Sequence, residues 1–237
     1  MEINEIIMEA LHYPLNHIQS LAIYLILGIV FSLIAIFTGV AGMLTVSQTS
    51  GPGIIVTLIG VLLCLIIYFI VSGYQLDIIK LGINRSSDAP SVDITRQTLN
   101  GVKLFVVQLV YFIVPIIISL VCALILNRTI TVLIAFVLFV IFGFVETMGE
   151  CRLAKTEDLN FALQVSDAIE DIKRIGFSKV LITIIAVGVI YVIISYIVSA
   201  VFGIISQDLA AVVSTIVSIY LLFFENRATG LLYSDLY

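Results

Sequence analysis

Residues 166–196 read SDAIEDIKRIGFSKVLITIIAVGVIYVIISY, and this stretch changes from acid-rich to almost entirely apolar near its middle. The apolar residues around the first half recur at helical spacing with charged residues on the other faces, which is typical of an amphipathic helix. That apolar face carries Val165, Ile169, Ile172 and Ile175. Gly176 separates the two halves, and the second half begins an apolar run long enough to cross a bilayer. We therefore predict an interfacial helix that turns at Gly176 and enters the membrane.

The composition of the whole chain indicates a membrane protein. Hydrophobic residues make up 61% of the chain and charged residues 11%, whereas soluble domains carry about 25% charged residues. The formal net charge of -5 argues against nucleic acid as a partner, because phosphate binding needs a basic surface. The 3 cysteines lie in two apolar runs and one charged loop, which predicts neither a disulfide framework nor a metal site.

Six apolar runs are long enough to cross a bilayer, whose core of about 30 Å needs about 20 helical residues. They are residues 21–46, 54–74, 104–126, 129–145, 180–205 and 209–224. Short breaks separate the two runs of each pair, whereas the connections at 75–103 and 146–179 are long and polar. This pattern predicts an all-α integral membrane six-helix bundle, built from three helical hairpins in a single transmembrane domain over residues 1–237. The acidic start lacks the basic region of a signal peptide, so we expect the first run to stay in the mature protein.

The basic residues predict the orientation of the bundle. Six crossings place both termini and both long connections on one side of the membrane. Of the 11 Lys and Arg residues, all but Arg128 fall on that side. The positive-inside rule then predicts a multi-pass protein of the cell membrane with both termini in the cytoplasm.

The three hairpins predict a threefold internal repeat, with approximate copies at 1–86, 87–158 and 159–237. Each copy would contain an amphipathic approach helix, a hinge, a longer crossing and a shorter crossing. The predicted hinges are Tyr13-Pro14, Asn100-Gly101 and Ile175-Gly176. The alternative is a six-crossing protein without a repeat, since cytoplasmic connections alone would produce part of this pattern.

The polar residues inside the predicted crossings are neutral, and no carboxylate lies deep in one, which argues against an ion-coupled mechanism. The candidate interior polar site consists of Gln108, Tyr111 and Ser195. Gln108 is the most costly of the three to bury, and its alternative role is a single interhelical hydrogen bond.

Two carboxylates mark the cytoplasmic ends of crossings. Glu146 follows the fourth apolar run and Glu225 follows the sixth. We expect both to be interfacial residues in contact with water. The alternative is a pairing role, for example with Arg152 or Arg227, which we also place at this interface.

The sequence contains no motif for catalysis. His12 and His17 flank Pro14, which spoils the one-face spacing of paired metal ligands, and we expect both at the level of the lipid headgroups. No H-E-x-x-H, G-x-S-x-G or phosphate-loop motif occurs. A membrane enzyme acting on lipids would need a metal or nucleophile cluster, and the acids of residues 146–171 include no histidine. We therefore predict a protein that is not an enzyme and has no metal or cofactor.

Five stretches of the chain resemble a known family. They are EALHYPL at 9–15, GYQLDIIKLGI at 73–83, GVKLFVVQLVYFIVPIII at 101–118, IEDIKRIGFSKVL at 169–181 and ENRATGLLYSDL at 225–236. Over nearly the whole chain they resemble a family of polytopic membrane proteins, common in methanogenic archaea and found in some bacteria, that is catalogued as a domain of unknown function. The chain is more distantly similar to membrane domains that accompany some glycerophosphodiesterases. The resemblance implies a membrane location and an archaeal source, and it supplies no activity or site residue.

Two functions remain open from the sequence. The first is a non-catalytic scaffold or accessory subunit that organises lipids or an unidentified membrane or cytoplasmic partner, because buried charge is absent and interfacial helices can grip the bilayer surface. It predicts a packed bundle without a cavity near the membrane midplane. The alternative is a small-molecule permease or channel with a neutral polar interior. It predicts a water-accessible cavity near Gln108, Tyr111 and Ser195.

Overall fold

The computed structural model describes residues 1–48 and 51–237, and the regular elements in those ranges are all helical. They are α1 (Ile3–Asn16), α2 (Ile18–Gln48), α3 (Gly51–Ile83), α4 (Ile94–Ile125), α5 (Arg128–Thr156), α6 (Leu159–Ala162), α7 (Val165–Ile175), α8 (Phe177–Ile205) and α9 (Gln207–Tyr233), with a 3-10 turn at Ser234–Leu236. Helices α2, α3, α4, α5, α8 and α9 are long and apolar enough to cross a membrane. The prediction of an all-α protein is confirmed for the described ranges, and so is that of six helices long and apolar enough to cross a membrane. Thr49 and Ser50 of the first short break lie outside them.

The crossing helices extend beyond the apolar runs. Helix α5 continues past Val145 to Thr156, and α9 continues past Phe224 to Tyr233. Both extensions are rich in good helix formers and contain no proline, so the helix does not stop where the hydrophobicity does. Glu146 and Glu225 therefore lie inside continuous helices and not beyond their ends.

The three predicted hinges have different outcomes. Gly176 separates α7 from α8 with a φ of 106°, a backbone conformation that favours glycine, which agrees with the prediction. In the first approach segment the helix continues through Pro14 to Asn16 and breaks at His17. The predicted hinge at Asn100-Gly101 is wrong, because α4 is unbroken from Ile94 to Ile125.

Gly101 is a position of close helix contact. A Cβ atom on Gly101 would lie 1.9 Å from the carbonyl oxygen of Phe69, and a Cβ on Gly73 would lie 1.8 Å from the carbonyl oxygen of Gln97. One glycine on each helix thus lets the backbones of α3 and α4 approach each other. The second approach segment is consequently the N-terminal part of α4 and not a separate helix.

Helix α3 contacts four of the other long helices, α2, α4, α5 and α9. Both chain termini and the connections at 84–93 and 157–164 meet at one end of the bundle, which we call the terminal end. There Lys179 and Arg85 both bind Asp235. Many fully buried side chains lie in the half of the bundle next to this end, among them Tyr74, Leu104, Met148, Leu221 and Tyr233. Toward the opposite end large apolar side chains such as Leu124, Ile125 and Ile204 are exposed, which suits contact with lipid.

Ion pairs that each include a buried arginine attach the two short amphipathic helices to the bundle. Arg152 of α5 donates to Asp171 at 2.9 Å and to Asp167 at 3.0 Å, both on α7. Arg227 of α9 is almost completely buried and donates to Glu9 of α1. Helices α1 and α7 are therefore held against α9 and α5 by charge as well as by apolar packing.

Candidate functional site: an acidic cavity among the helices

A partly enclosed cavity of about 560 Å³ lies between α2, α3, α5, α8 and α9. Three carboxyl side chains line it: Glu146, Glu150 and Glu225. Amides and hydroxyls complete much of the polar wall, among them Gln75, Asn226, Thr147, Ser218, Thr229 and Tyr191. The volume lies within the range of about 300–1,000 Å³ that is usual for small-molecule sites.

The second helix of each hairpin contributes at least one long polar side chain to this cavity, and we compare one from each. These side chains are Gln75 of α3, Glu146 of α5 and Glu225 of α9. Glu146 and Glu225 are each the nineteenth residue of their helix. At roughly 1.5 Å per residue, each lies about 27 Å from the first residue of its helix, close to the far boundary of a hydrocarbon core of about 30 Å. The carboxyl groups thus lie at similar depth, toward the terminal end.

The charge of the cavity is not balanced by neighbouring arginines. None of the cavity-lining side chains that the structure describes is basic. The possible pairing of Glu146 or Glu225 with Arg152 or Arg227 is not observed, because Arg152 binds Asp167 and Asp171 and Arg227 binds Glu9. Helix geometry gives the reason: at about 100° per residue, Arg152 lies roughly 120° around α5 from Glu146, and Arg227 lies roughly 160° around α9 from Glu225. Each arginine therefore faces away from the cavity.

Glu146 and Glu225 differ in their exposure. The Glu225 side chain is exposed, and it borders the cavity. Glu146 is only 8% exposed, and its Oε1 atom has no hydrogen-bond donor in the described part of the chain. Glu225 therefore has the exposure expected of an interfacial residue in contact with water, whereas Glu146 is buried.

Glu150 joins the cavity to a chain of hydrogen bonds. It follows Glu146 by one helical turn on α5, a spacing that places both side chains on the same face of the helix and at the same cavity. Gln108 of α4 donates through Nε2 to Glu150 Oε1 at 3.2 Å. The hydroxyl of Tyr68 of α3 donates to Gln108 Oε1 at 3.2 Å. Gln108 is therefore one hydrogen bond away from the cavity wall and links three helices.

The other two residues of the predicted interior site lie elsewhere. Tyr111 is buried, and its hydroxyl donates to the carbonyl oxygen of Ala162 at 2.9 Å, so it packs α4 against the connection that follows α5. Ser195 is half-buried on α8 and does not line the acidic cavity. The structure does not bring Gln108, Tyr111 and Ser195 together. Sequence reasoning missed Gln75, Asn226 and Glu150 of the cavity wall. For Glu150 a signal was present, because its spacing of four from Glu146 indicates a shared helix face.

A smaller cavity of about 130 Å³ adjoins the acidic one between α5, α8 and α9. Thr147, Glu225 and Thr229 line both cavities. Thr183 also lines the smaller one, and its buried hydroxyl has no hydrogen-bond partner among the described atoms. Glu225 thus lies in the wall between the two spaces.

A group of four charged side chains at the terminal end is compensated, unlike the acids of the cavity. Glu157 accepts from Lys80 at 2.8 Å and lies 3.4 Å from Arg96. The hydrogen bond from Lys80, helped by one from Asn100 and by the charges of Lys80 and Arg96, lowers the pKa of Glu157 despite its partial burial. Asp77 binds Arg96 through two oxygens at 2.7 and 2.9 Å. These pairs have structural partners and offer no free charge to a solute.

The histidines and other potential metal ligands do not form a metal site. No group of three His, Cys, Asp or Glu side chains within the described ranges is arranged to hold an ion. His12 Nδ1 contacts the carbonyl oxygen of Met8 at 2.7 Å, and His17 Nδ1 contacts that of Tyr13 at 2.8 Å. Both histidines therefore bind the backbone of α1.

The long apolar helices and the polar cavity among them define a multi-pass α-helical membrane protein. A family profile described as "Protein of unknown function (DUF4013)" matches residues 59–203, which is more than half of the chain. The chain belongs to this family. The matched region includes Gln75, Glu146 and Glu150 of the cavity but not Glu225. Searches of curated proteins and of solved structures gave no match.

Proposed function

We propose that this DUF4013 membrane protein is a non-catalytic permease or channel that admits a small, positively charged solute. The observation that carries the proposal is the cavity of about 560 Å³ lined by Glu146, Glu150 and Glu225 without a basic side chain among its described residues. The solute is small because the cavity is small, and it is positively charged because the wall is acidic.

The charge imbalance supports a cation in preference to other solutes. A carboxylate near the hydrocarbon core is costly unless an opposite charge or a proton compensates it. The nearest arginines of α5 and α9 are occupied by the acids of α7 and α1. A cation that enters the cavity would supply the missing charge, whereas an anion would be repelled.

We also propose an orientation in the membrane and a threefold internal repeat. We place both termini in the cytoplasm because the basic residues concentrate at the terminal end. We also retain the threefold repeat, which Gln75, Glu146 and Glu225 support by reaching one cavity from the second helix of each hairpin. Under this orientation the carboxyl groups lie toward the cytoplasmic side of the bundle.

A scaffold or accessory subunit remains the second candidate. The observation in its favour is the exposed charged face of α7, which carries Glu170, Lys173 and Arg174. Against it, a scaffold needs no cavity inside the bundle. Much of the remaining polar surface of α7 is also occupied, since Asp167 and Asp171 bind Arg152.

Transport by the full chain in lipid vesicles tests the proposal. Vesicles containing the purified protein are supplied with radiolabelled potassium ions, methylammonium or chloride, and uptake is compared with that of protein-free vesicles. We expect uptake of at least one cation and none of chloride. Glu225→Gln should reduce cation uptake about tenfold or more, because it removes one exposed charge from the cavity wall.

The matched control is Glu170→Gln, which neutralises an exposed acid on α7 outside the cavity. It should transport like the unaltered protein. If correctly inserted protein takes up neither cation, the permease proposal is contradicted and the scaffold becomes the preferred function. Equal effects of Glu225→Gln and Glu170→Gln on uptake would also contradict the permease proposal.

A further inference from the structure

Two carboxyl side chains of the acidic cavity lie one helical turn apart. Glu146 and Glu150 are four residues apart on α5, a spacing that brings two side chains together on one helix face. Both line the cavity, and Glu146 Oε1 receives no N–H or O–H from the described residues. Two carboxylates that share one site without a basic neighbour repel each other unless one of them takes up a proton. The pair therefore holds one proton and one negative charge in this arrangement.

The neighbouring side chains determine which carboxyl group of the pair carries the proton. The Tyr68 hydroxyl donates to Gln108 Oε1, which leaves the NH₂ group of that amide to face Glu150. An N–H donor stabilises the ionised form of a carboxyl group. Glu150 is therefore the carboxylate of the pair, and Glu146 carries the proton. Gln108 is a positioning residue, since it acts on Glu150 and does not line the cavity.

The groups that face the pair from other helices supply no positive charge among the described residues. Glu225 and Asn226 face it from α9, Gln75 from α3, Tyr191 from α8, and Gln108 from α4. On α5 itself, Arg152 is held by the acids of α7. The proton between Glu146 and Glu150 is thus the compensating charge that the local structure provides.

The sequence placed no carboxylate deep in a crossing, which argued against an ion-coupled mechanism, but Glu146 and Glu150 lie within the continuous helix α5 and line the cavity. We infer that the protein exchanges a cation for a proton at the Glu146–Glu150 pair, an inference that rests on the proposed function. A monovalent cation enters the cavity and binds both carboxylates, and the proton of Glu146 passes to water. One positive charge arrives and one leaves, so the charge of the pair and its ligand stays the same. Cation entry is in this way coupled to proton release.

Proton release on cation binding is the direct test. The purified full chain in detergent is titrated with potassium chloride and, separately, with methylammonium chloride in weakly buffered solution containing a pH dye. Calorimetry in strong buffer measures how much cation binds. We expect about one proton released for each cation bound. The apparent Kd should rise about tenfold for each pH unit by which the pH falls through the range where proton and cation compete.

Three variants locate the exchange. Glu146→Gln should release no proton on binding, whereas Glu170→Gln should release as much as the unaltered protein. Gln108→Leu should shift the pH profile of binding, because Glu150 loses its N–H donor, and a purely packing role for Gln108 would leave that profile in place. Circular dichroism and gel filtration establish that each variant is folded, and the stoichiometry of the unaltered protein remains a test even if a variant is not.

The outcomes separate the two proposals. Cation binding without proton release would overturn the exchange and leave the permease standing. Proton release that persists in Glu146→Gln would also overturn the assignment to this pair. If neither cation binds the unaltered protein, both the exchange and the proposed cation permease are contradicted.

Discussion

Arg152 donates to Asp171 at 2.9 Å, and the two side chains are only 5% and 6% exposed. The same Asp171 carboxylate accepts from the Tyr233 hydroxyl at 2.7 Å, so one buried group joins α5, α7 and α9. Removing one partner of a buried ion pair leaves an uncompensated charge, which typically destabilises a protein by roughly 3–5 kcal/mol.

Arg152→Met should therefore lower the free energy of unfolding by about 3–5 kcal/mol. Thermal unfolding in detergent, followed by circular dichroism at the helix band, measures the change. Arg174→Met is the control, since Arg174 is an exposed residue of α7. Equal midpoints for the two variants would show that the Arg152–Asp171 pair adds nothing to stability.

The contact between α3 and α4 predicts that Gly101→Ala is destabilising. The new methyl group would lie 1.9 Å from the Phe69 carbonyl oxygen, so the helices must separate, and overpacking of this kind costs about 1–3 kcal/mol. The control is Gly143→Ala in α5, where a Cβ meets no atom within 4 Å. Chemical unfolding in mixed micelles should show a loss for Gly101→Ala and no loss for Gly143→Ala. A Gly101→Ala protein as stable as the control would contradict the close approach of the two backbones.

Gly176→Ala should destabilise the junction between α7 and α8 for a different reason. No atom lies within 4 Å of a Cβ at this position, so the effect comes from the φ of 106° and not from a clash. A residue with a side chain in such a conformation typically costs about 1–3 kcal/mol. Limited proteolysis of residues 165–180 should become faster than in Gly203→Ala, whose glycine also has open space. Unchanged proteolysis would mean that the junction tolerates another backbone conformation.

The Lys80–Glu157 pair predicts a pH dependence of stability. The hydrogen bond from Lys80 lowers the pKa of Glu157, so the folded state favours the ionised carboxylate. The stabilisation is then fully present above the pKa of the unfolded chain, and it is lost as the pH falls through the lower pKa of the folded protein. Glu157→Gln should be less stable than the unaltered protein at pH 7, and this difference should shrink on acidification. Unfolding midpoints of both proteins across the acidic range test it, and a constant difference would contradict it.

The six crossings could be predicted from sequence because the length of an apolar run is a local property that the bilayer thickness limits directly. The break at Gly176 could also be predicted, since this residue separates an amphipathic sequence pattern from an apolar one. Gly101 was misread because glycine serves both chain bending and close helix contact. Only the neighbouring helix, with Phe69 opposite, distinguishes the two.

Only some features of the acidic cavity could be predicted from the sequence. The positions of Arg152 and Arg227 around their helices already placed them away from Glu146 and Glu225, so the absence of both pairs follows from the 3.6-residue period. The helical period does not predict that one cavity brings together Gln75, Glu146 and Glu225. That arrangement depends on how the three hairpins pack against one another, which the order of residues along the chain does not determine.

The packing of α1 against α9 has a consequence for biosynthesis. Ile6 and Ala10 of the first helix share an apolar core with Leu231 and Leu232 of the last. During translation the first helix is delivered to the membrane surface long before its partner exists. Until α9 has been made and inserted, the apolar face of α1 lacks this partner. The core is thus completed only after the whole chain between the two helices has been synthesised.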